Sequence, residues 1–341
     1  MRIGLAGVGR IGAFHAATLR DLPEVSELVV ADINADIAAR VAIDLGVQSA
    51  PDIDSLLASG LDALVITTAT PGHAPLLRRS IAAGIPTFCE KPVAATLDET
   101  IELTRLSEAS SVPVHVGFQR RFDTAYRRAQ EAVRNGELGV VHAIRAITHD
   151  QSPPPSGYVA TSGGIFRDCS VHDFDILRFV SGREVASVYA TGENRGADYF
   201  ASAGDVATGA AILTLDDGTI ASVTATRYSG GGHDVRMEVM GDLGAIAVGL
   251  DDSLALRSLE PGVSFPAGPV HMSFMERFQP AYVAELTAFF DVAAGRTPSP
   301  CTVRDALEAF RIAEACELSR AQRRPVAMSE IPTVETSGGA E

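Results

Sequence analysis

Short apolar runs alternate with amphipathic stretches through about the first 120 residues, the rhythm of alternating β-strands and α-helices. The apolar runs predict strands at 2–6, 27–31, 63–67, 86–89 and 113–116. The amphipathic stretches predict helices at 11–20, 35–45, 53–58, 74–83 and 97–107. Because most connections are short, the pattern indicates βαβ units and a doubly wound parallel sheet of the α/β class.

After Gly117 the pattern changes to longer extended segments, predicted at 140–148, 185–191, 206–215, 220–227, 235–240 and 245–248. Helices are predicted at 124–134, 170–180, 274–294 and 303–320, a hairpin turn at 216–218, and a loop in the Pro-rich cluster 152–157. This half predicts an α+β domain with a large open, mostly antiparallel sheet. The expected division is a first domain at 1–120, a second at 121–332 and a flexible tail at 333–341.

Composition narrows the class of protein. A chain of 341 residues favours two domains, and 46% hydrophobic residues are ordinary for a globular enzyme. A net charge of -15 argues against nucleic acid or an anionic membrane surface as partner. The four cysteines lack metal-type pairing, the start of the chain lacks signal-peptide features, and the apolar runs are too short to span a membrane. We therefore expect a cytoplasmic protein.

A glycine-rich loop, GVGRIG at 7–12, follows the first predicted strand and opens a helix. In this setting the glycines permit a tight turn, close approach to a pyrophosphate and close helix–strand packing, and the helix N-terminus meets the phosphate charge. The motif predicts a Rossmann-type dinucleotide site, with a plain turn as the alternative. The candidate cofactor contacts in the loop are Gly7, Gly9, Arg10, Ile11 and Gly12.

Asp32 follows the second predicted strand, 20 residues after Gly12. An acid at this place accepts hydrogen bonds from the adenosine ribose hydroxyls and repels a 2′-phosphate. Asp32 therefore favours NAD, with NADP less favoured. The alternative is a helix cap, with Asn34 nearby.

Two further segments follow predicted strands and so lie at the carboxyl edge of the sheet, where ligands bind. The first is TPGH at 70–73, which places Thr70, Pro71 and His73 as candidate cofactor contacts, or is only a loop with a capping residue. The second is Glu90-Lys91-Pro92, which is either a surface ion pair before a proline or a cofactor and substrate contact. A buried Lys91 beside a nicotinamide could stabilise a developing alkoxide.

Asp168 and His172 lie four residues apart, about one helical turn, so they would share a helix face. A carboxylate beside an imidazole raises its basicity, which suits a base that removes a proton from an alcohol. The alternatives are an N-terminal helix Asp with a half-buried His, or a metal site with Asp173 or His149. No familiar ligand spacing supports a metal, and we predict none.

The ordered motifs resemble the Gfo/Idh/MocA family of glucose–fructose oxidoreductases, inositol dehydrogenases and rhizopine catabolism proteins. The resemblance runs over nearly the whole chain, at 7–12, 70–73, 90–92, 117–123 (GFQRRFD) and 163–175. It implies a nicotinamide-binding Rossmann domain, then an α/β domain whose open sheet often mediates oligomers, here a homo-oligomer (dimer or tetramer). It also implies Lys91, Asp168 and His172 as catalytic residues and a cis bond before Pro92.

Within the family the chain is most similar to inositol 2-dehydrogenases. This implies NAD-dependent oxidation of a secondary hydroxyl of a cyclic polyol, with His172 as base and Lys91 and Asp168 assisting. The candidate substrate contacts are Lys91, His149, Gln151, Asp168, His172 and His233. His149-Asp150-Gln151 and His233 stand where inositol enzymes typically have an Asn and a Tyr. The alternatives are the same chemistry on a pyranose or glucoside, a keto-sugar reductase, or a catalytically silent dinucleotide-binding sensor.

Overall fold

In a computed structural model, which describes residues 1–264 and 266–334, residues 2–117 form a six-stranded parallel sheet together with its connecting helices. The strands are β1 Arg2–Ala6, β2 Glu27–Ala31, β3 Gln48–Ser49, β4 Ala63–Ile66, β5 Thr87–Glu90 and β6 Val114–Gly117. Their order in the sheet is β3-β2-β1-β4-β5-β6. The strand order reverses between β1 and β4, so the carboxyl ends of these two strands flank the crevice where such sheets bind ligands.

Five helices belong to this half, and three of them begin at a residue whose side chain caps the first turn. They are α1 Arg10–Asp21, α2 Ala35–Leu45, α3 Ile53–Leu57, α4 His73–Ala82 and α5 Leu97–Glu108. Asn34, Asp52 and Thr96 accept hydrogen bonds from backbone N–H groups in the first turns of α2, α3 and α5. In contrast, α1 begins after Gly9, which supplies no side-chain cap. The N–H groups of that first turn are therefore suited to an anion.

The sheet is buried because its strands are almost entirely apolar, as expected for a parallel sheet covered on both faces. Leu5, Val30 and Val65 form one core cluster with Leu286 and Phe289. The last two belong to the long helix α10 Phe274–Ala293. The chain divides into two compact units, and the first comprises 1–119, 282–307 and the described residues from 333 on.

The second unit, 120–281 with 308–332, contains a seven-stranded sheet. Its strands are β7 Val141–His149, β8 Val185–Glu193, β9 Thr208–Leu215, β10 Ile220–Thr226, β11 Asp234–Gly241, β12 Ala245–Val248 and β13 Val326–Ala327. The order is β12-β11-β7-β10-β9-β8-β13, and only the β7/β10 pair is parallel. The remaining helices are α6 Thr124–Arg134, α7 Ser156–Val159, α8 Val171–Ser181, α9 Tyr199–Ser202 and α11 Val303–Gln322.

The predicted fold class is confirmed: a parallel doubly wound sheet precedes a mostly antiparallel one. The hairpin at 216–218 is also confirmed, and Gly218 takes the positive φ of 90° that the turn requires. The edge strands β3 and β13 were not predicted, because two residues carry no periodicity. The predicted loop at 152–157 is partly wrong, since α7 begins at Ser156. Of the predicted flexible tail, 335–341 lies outside the described residues.

Candidate active site

Each of the three glycines of the loop at 7–12 has a different structural role. Gly7 has a φ of 94°, which a side chain would strain. A Cβ on Gly12 would lie 2.0 Å from the carbonyl oxygen of Gly7, so α1 could not approach β1 as closely with any other residue. A Cβ on Gly9 would meet nothing within 4 Å. Gly9 is thus not needed for packing, and it leaves open space in front of the α1 N-terminus.

Asp32 holds the glycine loop from the end of β2. Its Oδ2 accepts a hydrogen bond from the Val8 N–H at 2.8 Å, and its Oδ1 accepts one from the Asn34 N–H at 2.9 Å. Asn34, not Asp32, caps α2, so the helix-cap alternative for Asp32 is wrong. The neighbouring Ile33 is 100% exposed, a residue that the sequence did not single out.

Glu90 and Lys91 lie in a turn at the end of β5 that is held by hydrogen bonds of the Glu90 side chain. The Glu90 side chain is buried, with Oε1 2.7 Å from His15 Nε2 and Oε2 accepting from the Lys91 N–H at 3.2 Å. The peptide bond between Lys91 and Pro92 is cis, as the family resemblance implied. The alternative of a surface ion pair therefore does not fit Glu90, whose partner His15 is fully buried.

His73 ties the TPGH segment to this turn. Its Nδ1 lies 2.7 Å from the Pro92 carbonyl oxygen and its Nε2 lies 2.9 Å from the Thr68 carbonyl oxygen. Thr70–Gly72 forms a single 3-10 turn before α4, and Pro71 is exposed. In the first unit the carboxyl ends of the strands thus carry the glycine loop, Asp32, the 3-10 turn and Lys91.

In the second unit, sheet register gathers a different group of side chains. His149, the last residue of β7, pairs with Thr226 of β10 and with Asp234 of β11. Because β7 and β10 are parallel and β11 is antiparallel to β7, the two carboxyl ends and the start of β11 meet at one sheet end. Asp150, Arg227 and His233 lie one residue beyond these paired positions.

Arg227 links the two carboxylates of this group. It is 3% exposed, and its two Nη atoms donate to Asp150 Oδ2 at 2.9 Å and to Asp168 Oδ2 at 2.7 Å. Tyr158 of α7 donates its hydroxyl to Asp168 Oδ1 at 2.9 Å. His233 Nδ1 lies 3.5 Å from Asp150 Oδ1. Partly buried acids such as Asp150 and Asp168 need such partners to keep their charge.

Asp168 lies in a π-helical turn, Phe166–Ser170, and His172 lies in the first turn of α8 directly after it. The two residues therefore do not lie on one continuous α-helix as expected: the chain changes from π-helix to α-helix between them, and a π turn is wider than an α turn. The α-helix begins at Val171, close to the predicted residue 170, and the π-helical turn precedes it from Phe166. π turns of this kind occur frequently at functional sites.

Burial and neighbouring charges shift three titrations here. Burial acts to raise the pKa of Asp150, but the hydrogen bond with His233 and the charge of Arg227 outweigh it, so this pKa lies below its usual value. Burial lowers the pKa of His149, although Asp234 opposes the shift. Burial and the charge of Asp168 raise the pKa of Tyr158 well above its usual value. Asp150 is thus an anion at neutral pH, His149 is uncharged and Tyr158 keeps its proton.

The sequence-based candidates fall into both units. Lys91 and the candidate cofactor contacts belong to the first unit, and Asp168, His172, His149, Gln151 and His233 belong to the second. Sequence reasoning missed Arg227 and Tyr158. A single arginine at a strand end forms no motif, and a tyrosine beside a Pro-rich cluster gives no sign of its partner.

The fold and the glycine loop define the first unit as a dinucleotide-binding domain of an oxidoreductase. Residues 1–118 match the family model described as "Oxidoreductase family, NAD-binding Rossmann fold", and 126–247 match the "GFO/IDH/MocA C-terminal domain". The chain belongs to the Gfo/Idh/MocA family of oxidoreductases.

Several relatives that match over nearly the whole chain are named as inositol dehydrogenases. A myo-inositol dehydrogenase of Streptomyces leeuwenhoekii is 37% identical over 94% of this chain and 97% of its own. The crystal structure of a myo-inositol dehydrogenase from Corynebacterium glutamicum has a TM-score of 0.87 at 32% identity, covering 96% of this chain and 98% of that one. A scyllo-inositol dehydrogenase from Lactobacillus casei, solved with NAD(H) and scyllo-inositol, has a TM-score of 0.85 at 26% identity, covering 96% and 99%.

Within 1–264 and 266–334, no three or more His, Cys, Asp or Glu side chains form a group that could hold a metal ion. None of the helices in the described part of the chain combines the length and apolar character needed to cross a bilayer.

Proposed function

We propose that this protein uses NAD to oxidise a secondary hydroxyl of a cyclic polyol, myo-inositol or an isomer, to a ketone. The observation that carries the chemistry is Lys91. Of the 28 lysine and arginine residues, 27 are arginine and one is Lys91, which stands at the carboxyl end of β5. A compact ammonium is not interchangeable with a guanidinium where a single reacting oxygen must be contacted. The full-length similarity to inositol dehydrogenases supports the substrate class.

The residues around the α1 N-terminus fit a dinucleotide. Gly9 leaves the space that a pyrophosphate would occupy, and the uncapped first turn of α1 supplies N–H donors. Asp32 would accept from the ribose hydroxyls and disfavour a 2′-phosphate, and exposed Ile33 offers apolar surface to the adenine. The remaining cofactor contacts are proposed for Gly7, Arg10, Ile11, Gly12, Thr70, Pro71, His73, Glu90 and Lys91. When bound, the nicotinamide would accept the hydride from the substrate carbon.

Proton transfer is assigned to the protein. His172 takes the proton of the reacting hydroxyl as the C–H bond gives up its hydride, so the carbinol becomes a ketone. Asp168 supports the positive charge that His172 acquires. Lys91 donates a hydrogen bond to the same oxygen while negative charge develops on it.

The polar residues at the sheet end of the second unit would bind the other hydroxyls. His149 is uncharged at neutral pH because burial lowers its pKa, so its ring can both donate and accept. Gln151 and His233 add further donors and acceptors. The ionised Asp150, fixed by Arg227, favours hydroxyl donors over anionic substrates.

Initial rates of NADH formation test the proposal. The panel holds myo-, scyllo- and chiro-inositol, glucose, galactose, xylose and several glucosides, each with NAD and with NADP. We expect the highest rate with an inositol and NAD. NAD binding without turnover of any compound would contradict the enzyme assignment and favour a dinucleotide-binding sensor.

A second candidate is the same chemistry on a pyranose or glucoside, or its reverse on a keto-sugar. The observation that favours it is the polar sheet end formed by His149, Asp150, Gln151 and His233, at positions where the resemblance to inositol enzymes implies an Asn and a Tyr. Turnover of a sugar or glucoside, with no turnover of any inositol, would select this candidate.

A further inference from the structure

Asp168 is held from two sides. Tyr158 donates to Oδ1 at 2.9 Å and Arg227 donates to Oδ2 at 2.7 Å. The two donors come from distant parts of the chain, one from α7 and the other from the residue after β10. A carboxylate with a charged and a neutral donor on separate oxygens has lost most of its freedom to rotate.

Arg227 is the buried side of this arrangement. Its second Nη binds Asp150, so the guanidinium neutralises two acids at once and its orientation is fixed by both. Asp150 in turn accepts from the Ser229 N–H through its carbonyl oxygen, and its own N–H donates to the Thr226 carbonyl oxygen. The position of Arg227 is therefore set by the β7/β10 sheet end.

Tyr158 is the open side. It is 44% exposed as a residue, although its hydroxyl is bound to Asp168. The Pro-rich segment that carries it is tied down separately, because Tyr199 of α9 donates its hydroxyl to the Pro154 carbonyl oxygen at 3.0 Å. The segment at 152–159 thus delivers one side chain to the carboxylate that precedes His172.

We infer that Tyr158 and Arg227 are positioning residues for the reaction: they fix the Asp168 carboxylate, Tyr158 from the open side and Arg227 from the buried side. This inference rests on the proposed function, in which Asp168 supports His172. It assigns a task to the Pro-rich segment and to a buried arginine that the Lys91, Asp168 and His172 set does not include. The Tyr158 hydroxyl, which donates to Asp168, keeps a lone pair that a substrate hydroxyl could use.

The experiment compares Tyr158→Phe with Tyr199→Phe, using the best substrate of the panel and NAD. Both changes remove one hydroxyl from the same region, but only Tyr158 touches Asp168. We expect Tyr158→Phe to lower kcat about tenfold, the effect of one lost hydrogen bond to a charged group, with KM for NAD and Tm unchanged. Tyr199→Phe should keep the wild-type kcat.

Arg227 is tested by chemical rescue. Arg227→Ala should lower kcat by about 100-fold or more, because two partly buried carboxylates lose their cation, and added guanidinium ion should restore part of the activity. The kcat of Arg227→Lys should fall between those of the wild type and Arg227→Ala, since lysine keeps the charge but cannot donate to both carboxylates as the guanidinium does. If Arg227→Ala does not fold, Arg227→Lys and Tyr158→Phe carry the test.

Three results would overturn the inference while wild-type turnover leaves the proposed function intact. The first is wild-type kcat in both Tyr158→Phe and Arg227→Lys. The second is an equal loss in Tyr158→Phe and Tyr199→Phe, which would mean that only the segment matters. The third is a folded Arg227→Ala with wild-type kcat. A wild-type protein that turns over no compound would instead sink the proposed function.

Discussion

Asp32 has a structural role in the protein itself, in addition to the proposed contact with the cofactor. Its Oδ2 fixes the Val8 N–H, and therefore the glycine loop, so an alanine at this position would change loop geometry and ribose contact together. An asparagine largely separates the two effects, because its amide oxygen can still accept from the Val8 N–H while the charge is gone and only the exposed bond from the Asn34 N–H is lost.

We therefore expect Asp32→Asn to relax the preference for NAD over NADP by about tenfold or more, with Tm nearly unchanged. The matched control is Asp36→Asn, which removes one charge from the exposed first turn of α2. The measurement is kcat/KM with each cofactor. An unchanged ratio in Asp32→Asn, or an equal change in Asp36→Asn, would refute the ribose role.

His149 makes stability depend on pH. Because burial lowers its pKa in the folded protein, the unfolded chain binds the proton more readily. Above the ordinary histidine pKa of about 6.5, His149 is neutral in both the folded and the unfolded chain, and its burial carries no protonation cost. As the pH drops below that value, the unfolded chain takes up the proton first and the free energy of unfolding falls. His149→Gln should reduce the fall in Tm between neutral pH and the start of carboxylate titration.

The control for this prediction is His142→Gln, an exposed position on the same strand. Its Tm should follow the wild type at each pH. Parallel Tm curves for His149→Gln and the wild type across this range would show that His149 is not buried in its neutral form.

At the level of elements, the glycine loop offers a matched pair of substitutions. A Cβ on Gly12 would overlap the Gly7 carbonyl oxygen, whereas a Cβ on Gly9 would point into open space. Gly12→Ala should lower the free energy of unfolding by about 2 kcal/mol, the usual effect of overpacking. Gly9→Ala should keep the wild-type Tm but raise the Kd for NAD about tenfold or more.

Thermal unfolding and NAD titration on both variants check this pair. Loss of Tm in Gly9→Ala, or unchanged NAD binding in a folded Gly9→Ala, would mean that the space beside Gly9 is not the pyrophosphate site.

Much of this architecture is predictable because it depends on local pattern. β1 and β2 have the predicted bounds, since in each a charged residue is followed by four residues without polar side chains, between turn signals. The contact between Arg227 and Asp150 could not be predicted, because it depends on the register of β7 with β10, two strands that are far apart in sequence. Spacing along the chain suggested His172 beside Asp168, but it gave no sign of Tyr158, whose contact depends on the path of the loop between α7 and the π-helical turn.

On the scale of the whole molecule, the seven-stranded sheet has an apolar patch on one face. Tyr189 and Ile212 are register partners on β8 and β9, and Ile220 pairs with Thr214 two residues along from Ile212. These side chains point to the same face, and Ile212 is 49% exposed. We propose that this face forms the interface of a homo-oligomer, dimer or tetramer.

Ile212→Asp should therefore shift the protein to a smaller species in sedimentation or light scattering, because a charge would be buried at the interface. Ile37→Asp, a change at an exposed isoleucine of α2, should leave the assembly unchanged. A monomeric wild type, or an Ile212→Asp variant of wild-type size, would refute the interface.

The most direct measurement is the rate of NADH formation from the best polyol by Lys91→Arg beside the wild type. The substitution keeps the charge and introduces the residue that the chain uses at its other 27 basic positions. We expect kcat to fall by about 100-fold or more with the Kd for NAD nearly unchanged, because a guanidinium cannot replace the ammonium at the reacting oxygen. Wild-type kcat in a folded Lys91→Arg variant would contradict the assignment of Lys91 to the chemistry.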